Sequence, residues 1–142
     1  MPVHGPRPGP RHMRELRVSF TREQIAGYAD ASGDHNPIHV DDAFARSAGL
    51  PGVIAHGMLQ MGLAARVAVE EAGSADRLRK LSCRFAGMVR PGDTVTFRAE
   101  KKNGRIEITA TNQDGEAVLT KAGAEVVPPT QPSPARGEGT GG

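Results

Sequence analysis

The sequence predicts an α+β domain in which a curved antiparallel sheet wraps around one long central helix. Residues 57–72 are apolar on most sides, which is typical of a buried helix. After this segment the apolar residues alternate along the chain, and Asn103-Gly104 and Asp114-Gly115 separate the alternating runs as hairpin turns do. The apolar surface of a long helix must pack against another element, and the sheet that follows it in the sequence can bury this surface.

Before the long helix, the sequence predicts one strand and two shorter helices. Residues 16–20 alternate as a strand does. Thr21 followed by Gln24 forms a capping box, so a helix is expected over residues 22–32, with Gly33 ending it. The His-Asn-Pro sequence that follows cannot continue a helix. A short helix then starts at Asp41 or Asp42 and ends at Gly49.

After the long helix, the alternating runs predict four strands: residues 81–89, 94–101, 105–111 and 117–127.

The two ends of the chain differ in composition from its middle. Of the 142 residues, segments 1–15 and 128–142 hold eight of the 11 prolines and six of the 18 glycines. They offer little to bury, so both are expected to be disordered tails. Met13 is an alternative start of the natural chain. One domain is therefore expected over residues 16–127.

Charge and composition exclude several classes of protein. The net charge of +2 comes from the N-terminal tail, while residues 16–127 are formally neutral, which disfavours a nucleic-acid partner. No apolar run approaches the ~20 residues that cross a bilayer, and the N-terminus lacks the apolar core of a secretory signal. The single cysteine, Cys83, forms neither an internal disulfide nor a thiolate metal site. We therefore expect no membrane association and a cytoplasmic location.

Two stretches concentrate the groups that could carry chemistry. Asp34 and His39 lie five residues apart across a proline-containing loop, which can turn a carboxylate and an imidazole towards one water molecule. Alternatively, this is only a capped loop between helices. Gly57 opens the long helix, where unpaired N–H groups can bind a carbonyl oxygen. Alternatively, Gly57 only permits close packing.

Residues 32–39 (SGDHNPIH) and 54–59 (IAHGML), with Tyr28 before them, resemble the MaoC-like dehydratases, also called R-specific enoyl hydratases, of the hot-dog fold. Residues 32–39 match the family motif Ser/Thr-Gly-Asp-x-Asn-Pro-x-His at every fixed place. The turn at residues 90–93 (RPGD) is also similar. The resemblance extends over residues 16–127 and implies a single hot-dog domain.

The resemblance implies a hydro-lyase that reversibly hydrates trans-2-enoyl thioesters to (3R)-3-hydroxyacyl thioesters. In this pattern Asp34 and His39 activate water, Gly57 N–H binds the thioester oxygen, and Asn36 holds the loop. Which of Asp34 and His39 acts as base stays open. No metal or other cofactor is implied. Some family members carry an active-site serine two turns after the glycine, where this chain has Ala65.

The resemblance also implies an acyl substrate on coenzyme A or on an acyl-carrier protein, and a homodimer or a heterodimer with a related chain. Two alternatives remain: a hot-dog thioesterase, and a non-catalytic acyl-binding subunit. The intact Asp34 and His39 argue against both.

Other residues have a structural and a functional interpretation. His35 and His39 have the spacing of a helical metal site, but Pro37 lies between them. His56 is expected to pack beside the turn rather than react, and Cys83 is expected to be a small buried apolar residue. Basic side chains that could meet phosphates, or only face solvent, are Arg79, Lys80, Arg84 and Arg90.

Overall fold

The structure is a computed structural model that describes residues 7–8 and 13–127. One antiparallel sheet has the strand order β1-β2-β4-β5-β6-β3. Its strands are β1 (Arg7–Pro8), β2 (Met13–Ser19), β3 (Leu78–Phe85), β4 (Thr94–Lys102), β5 (Arg105–Thr111) and β6 (Ala117–Val126). The helices are α1 (Arg22–Ser32), α2 (Asp42–Ser47) and α3 (Gly57–Ala72), with single turns of 3-10 helix at Pro37–His39 and Ala75–Arg77.

Helix α3 packs against the sheet, as the sequence predicts for the α+β fold. Its buried apolar residues Ala64, Val67 and Ala68 belong to one core with Phe97 of β4 and Ile106 of β5. Small side chains on α3 let the helix axis approach the sheet closely.

The predicted bounds of the two helices beside the candidate site, α1 and α3, are confirmed. Helix α1 begins after Thr21, whose Oγ1 accepts a hydrogen bond from the Gln24 N–H at 3.1 Å. Gly33 ends it at φ +80°, a left-handed conformation that favours glycine. Helix α3 covers the predicted residues 57–72.

The predicted bounds of β3 were wrong. The strand covers residues 78–85 instead of 81–89, and it pairs with β6 at the sheet edge while β4 pairs with β2. The chain leaves the sheet after Phe85, and Val89 instead accepts a hydrogen bond from Ala55 N–H at 2.8 Å. Residues 86–93 thus cross from β3 towards the start of α3, which apolar alternation alone does not distinguish from a strand.

The predicted strand over residues 16–20 begins and ends earlier in the structure, because β2 covers Met13–Ser19; residues 13–15 pair with β4, and residues 7–8 pair with β2. The remaining predicted tail residues, 1–6, 9–12 and 128–142, lie outside the described residues.

Candidate active site

Residues 32–36 form a tight loop held by its own side chains. Asp34 N–H donates to Ser32 Oγ at 3.1 Å, and Asp34 Oδ1 accepts from Asn36 N–H at 3.2 Å. Asn36 Oδ1 in turn accepts from Ile38 N–H at 3.2 Å and caps the turn Pro37–His39. The capped-loop interpretation therefore holds for the backbone, while one oxygen of the exposed Asp34 carboxylate stays free of these bonds.

His39 is fixed by a single strong hydrogen bond. Its Nδ1 lies 2.8 Å from the carbonyl oxygen of Ile54, which can only accept, so Nδ1 carries the proton. In a neutral imidazole the other nitrogen is then a proton acceptor. Ile54, which lies in the segment before α3, thus sets the tautomer of His39, which lies in a different loop.

His56, directly before α3, is buried beneath this pair and only 1% exposed. Its ring stacks on His39 with centroids 3.7 Å apart, and it meets the Tyr28 ring edge-on at 4.7 Å. His56 Nε2–H donates to the Asp34 carbonyl oxygen at 3.2 Å, and Nδ1 is buried without a partner among the described residues. Burial lowers the pKa of His56 most, with a further lowering by the nearby His39.

Asp34, His39 and His56 bring a carboxylate oxygen and two ring nitrogens within 4.8 Å of one another. The two rings are inclined by only 19°, so their in-plane lone pairs do not converge. Zinc binds imidazole along the in-plane lone pair of a ring nitrogen, and two stacked rings do not direct two such lone pairs at one ion. The arrangement fits proton transfer better than metal binding.

Gly57 begins α3 beside Phe85 of β3. No hydrogen bond to the Gly57 N–H is formed by residues 13–127, so this donor is free. A Cβ at position 57 would lie 3.0 Å from Cζ of Phe85, which supports the close-packing interpretation as well. The unpaired Gly57 N–H and the close contact with the Phe85 ring can occur together, so both interpretations of Gly57 fit the structure.

A cavity of about 430 Å³ connects His39 with the start of α3. Its polar groups come from His39, Gly57 and Gln60, and its apolar wall includes Phe85 and Met88, which are 53% and 49% exposed. A volume of this size suits a small-molecule site. The Asp34 side chain lies outside this wall, at its margin.

The remaining predicted residues lie elsewhere. Ala65 does not line the cavity, and the polar α3 residue that does, Gln60, was missed. His35 is exposed and bonds Asp30 at 3.1 Å, away from His39.

Cys83 packs against the core, and burial raises its pKa. Arg79, Lys80 and Arg84 are exposed on the β3 edge. No helix among the described residues is long and apolar enough to cross a membrane.

Comparison with known proteins relates the whole domain to acyl-thioester hydratases. Residues 4–123 match the family described as "MaoC like domain". The chain is 35% identical over 112 residues to the peroxisomal hydratase-dehydrogenase-epimerase of Neurospora crassa, covering 78% of this chain and 12% of that protein. It is 35% identical to the enoyl-CoA hydratase ChsH3 of Mycobacterium tuberculosis, covering 68% of this chain and 34% of that protein.

Among solved structures, the R-hydratase PhaJ1 of Pseudomonas aeruginosa is similar, with a TM-score of 0.70 and 27% identity, covering 80% of this chain and 77% of that one. The family match and the shared sheet-and-helix architecture lead to one conclusion: the chain belongs to the MaoC-like dehydratase family and has its hot-dog fold.

Proposed function

We propose that the protein hydrates trans-2-enoyl thioesters reversibly to (3R)-3-hydroxyacyl thioesters. The observation that carries the proposal is the His39 tautomer: Nδ1–H is bound to Ile54 O at 2.8 Å, which leaves Nε2 as a base at the cavity. The family match and the R-hydratase likeness support the same reaction.

In this proposal a water molecule lies between Asp34 and His39. The Asp34 carboxylate accepts a hydrogen bond from one O–H of the water, which stays on the oxygen. His39 Nε2 removes the other proton as the water oxygen bonds to C3. The electron pair of the C2=C3 bond moves towards the thioester oxygen, where the Gly57 N–H stabilises the negative charge. His39 then returns the proton to C2, so that one water has been added and no electrons are exchanged. Asn36 positions Asp34 through its backbone N–H.

The active form is proposed to contain two chains, either identical or related. Strand β3 is the edge of the sheet, and Phe85 and Met88 beside it are exposed apolar residues at the cavity wall. Edge strands with apolar neighbours are surfaces that pair with another chain. The substrate is proposed to be carried on coenzyme A or on an acyl-carrier protein, and the protein is proposed to be cytoplasmic.

Substitution of the pair tests the proposal. Asp34→Asn and His39→Ala are each expected to lower the rate of crotonyl-CoA hydration at least about a hundredfold, within the range of acid–base groups, with unchanged circular dichroism. His35→Ala is the matched control, because His35 is in the same loop but bonds Asp30 in solvent. Wild-type rates in Asp34→Asn or His39→Ala would refute the proposal.

A further inference from the structure

Gln60 of α3 has a buried side-chain amide with no partner among the described residues. The residue is 3% exposed, and its Oε1 is buried without a hydrogen bond. No hydrogen bond to Nε2 is formed by residues 13–127 either. A primary amide can make up to four hydrogen bonds, and leaving it unpaired inside a protein costs stability. Unlike Oε1, Nε2 is not among the fully buried unpaired atoms, and Gln60 lines the cavity, so Nε2 is the amide atom that a ligand there can reach.

The position of Gln60 shows which ligand group it can reach. Gln60 follows Gly57 by three residues, so both lie on one face of α3, and both line the cavity with His39. Side chains on a helix tilt towards its N-terminus, so the Gln60 amide extends back towards the free Gly57 N–H. The rest of the cavity wall is largely apolar, formed by Ile54, Ala55, Phe85, Ala86 and Met88.

We propose that Gln60 Nε2–H donates a second hydrogen bond to the thioester oxygen, beside the Gly57 N–H. This inference rests on the proposed function. A hydrocarbon acyl chain has no atom that could pair with the amide, whereas the carbonyl oxygen bound at Gly57 has a second lone pair. When water adds to C3, the electron pair of the double bond makes this oxygen negative, so the hydrogen bond strengthens in the transition state. Gln60 is then a catalytic residue whose loss weakens binding of the ground-state carbonyl and lowers kcat by a larger factor.

The test is Gln60→Met, which keeps the length of the side chain and removes its polar atoms. We expect kcat for crotonyl-CoA hydration to fall about a hundredfold, the typical effect of one oxyanion donor. The melting temperature should hold or rise, because an unpaired buried amide is removed. Gln24→Met is the matched control: Gln24 Oε1 is also buried and unpaired, but it lies on α1 outside the cavity. It should gain stability with unchanged kcat.

A wild-type kcat in Gln60→Met would overturn the inference. Should Gln60→Met fail to fold, Gln60→Glu decides, because a carboxylate of the same shape repels the developing charge. In this variant kcat should fall further as the pH rises through the titration of the introduced carboxyl group, and a wild-type pH profile would overturn the inference.

Binding of butyryl-CoA, which has no double bond to hydrate, separates this inference from the proposed function. If the wild type hydrates no enoyl thioester, the proposed function fails, and the dissociation constant for butyryl-CoA then decides the role of Gln60. Weaker binding to Gln60→Met than to Gln24→Met supports the carbonyl contact. Equal binding to both variants overturns it.

Discussion

At the scale of single residues, His56 contacts both members of the proposed catalytic pair. Its ring supports the His39 ring at 3.7 Å, and its Nε2–H holds the Asp34 carbonyl at 3.2 Å. His56 is therefore a positioning residue, and it must stay neutral to remain buried beside a second imidazole that takes up a proton.

The lowered pKa of His56 predicts a pH-dependent stability. Between that pKa and the ordinary value of about 6.5, the unfolded chain binds a proton that the native protein does not, so the free energy of unfolding rises with pH and falls in acid. His56→Gln should flatten this slope below about pH 6.5 in urea unfolding. His35→Gln, at an exposed histidine, should keep it. Equal slopes in the wild type and His56→Gln would contradict the prediction.

Substitution of Gly57 tests whether this residue only makes room for Phe85 or also binds the thioester oxygen. Gly57→Ala places a methyl group 3.0 Å from Phe85 Cζ and beside the proposed carbonyl site. We expect kcat to fall at least tenfold, and Phe85→Ala in the same chain to relieve the packing contact without restoring kcat, as a double-mutant cycle would show. Full recovery in the double variant, relative to Phe85→Ala alone, would mean that Gly57 only makes room for the ring.

Asp34, His39 and Gly57 could be proposed from the sequence because a carboxylate, an imidazole and a helix start each have recognisable chemistry, whereas Asn36 was proposed from the resemblance to the family motif. The contact between His39 and Ile54 could not, since it joins segments that only the fold brings together. Gln60 had one visible signal, a polar residue within an otherwise apolar helix, but the sequence does not show whether such a residue faces a cavity.

At the scale of elements, the N-cap at Thr21 stabilises α1, the helix that leads into the loop of residues 32–39. Thr21→Ala removes the acceptor of the Gln24 N–H and should lower the free energy of unfolding by about 1 kcal/mol. Thr21→Ser keeps the hydroxyl and should lose much less. Chemical denaturation of the three proteins measures this, and equal losses in both variants would show that the hydroxyl does not stabilise the helix.

Asp42 links three elements at the base of the site. Its Oδ1 accepts from Val53 N–H at 2.9 Å and its Oδ2 pairs with Arg22 of α1 at 2.8 Å. These contacts hold the pKa of Asp42 below its usual value, and the hydrogen bond from the Val53 N–H has the largest effect. They anchor the segment that carries Ile54, the acceptor for His39.

Helices were predicted more accurately than strands because their caps are local. Thr21, Gly33 and Gly73 mark ends through their own backbone conformation or hydrogen bonds. The end of β3 depends on its partner β6 and on the Ala55–Val89 hydrogen bond, both distant in sequence. Alternation over residues 86–89 continues past the point where strand pairing stops.

At the scale of the whole molecule, β3 predicts a two-chain assembly, because it is an edge strand of the sheet in the part of the chain that the structure describes. Sedimentation velocity at micromolar concentration should give twice the mass of one chain, 15.0 kDa. Met88→Lys adds a charge at the exposed apolar wall and should shift the protein towards single chains, whereas Lys102→Met, on the distant β4–β5 hairpin, should not. A wild type that sediments as one chain would refute the prediction.

Composition describes the whole molecule only coarsely. The net charge of +2 lies in the N-terminal segment, so a neutral domain carries the site. If an anionic carrier is recognised by charge, the local placement of basic side chains must provide it, with Arg79, Lys80, Arg84 and Arg90 as the candidates.

The central claim is tested most directly by incubating the wild-type protein with crotonyl-CoA and following three quantities together: the conjugated enoyl absorbance, the configuration of the 3-hydroxybutyryl product, and the release of free thiol. The proposed hydratase removes the absorbance, forms the 3R product and releases no thiol. Thiol release without hydration would identify a thioesterase instead, and binding of the thioester without either reaction would identify a non-catalytic acyl-binding subunit.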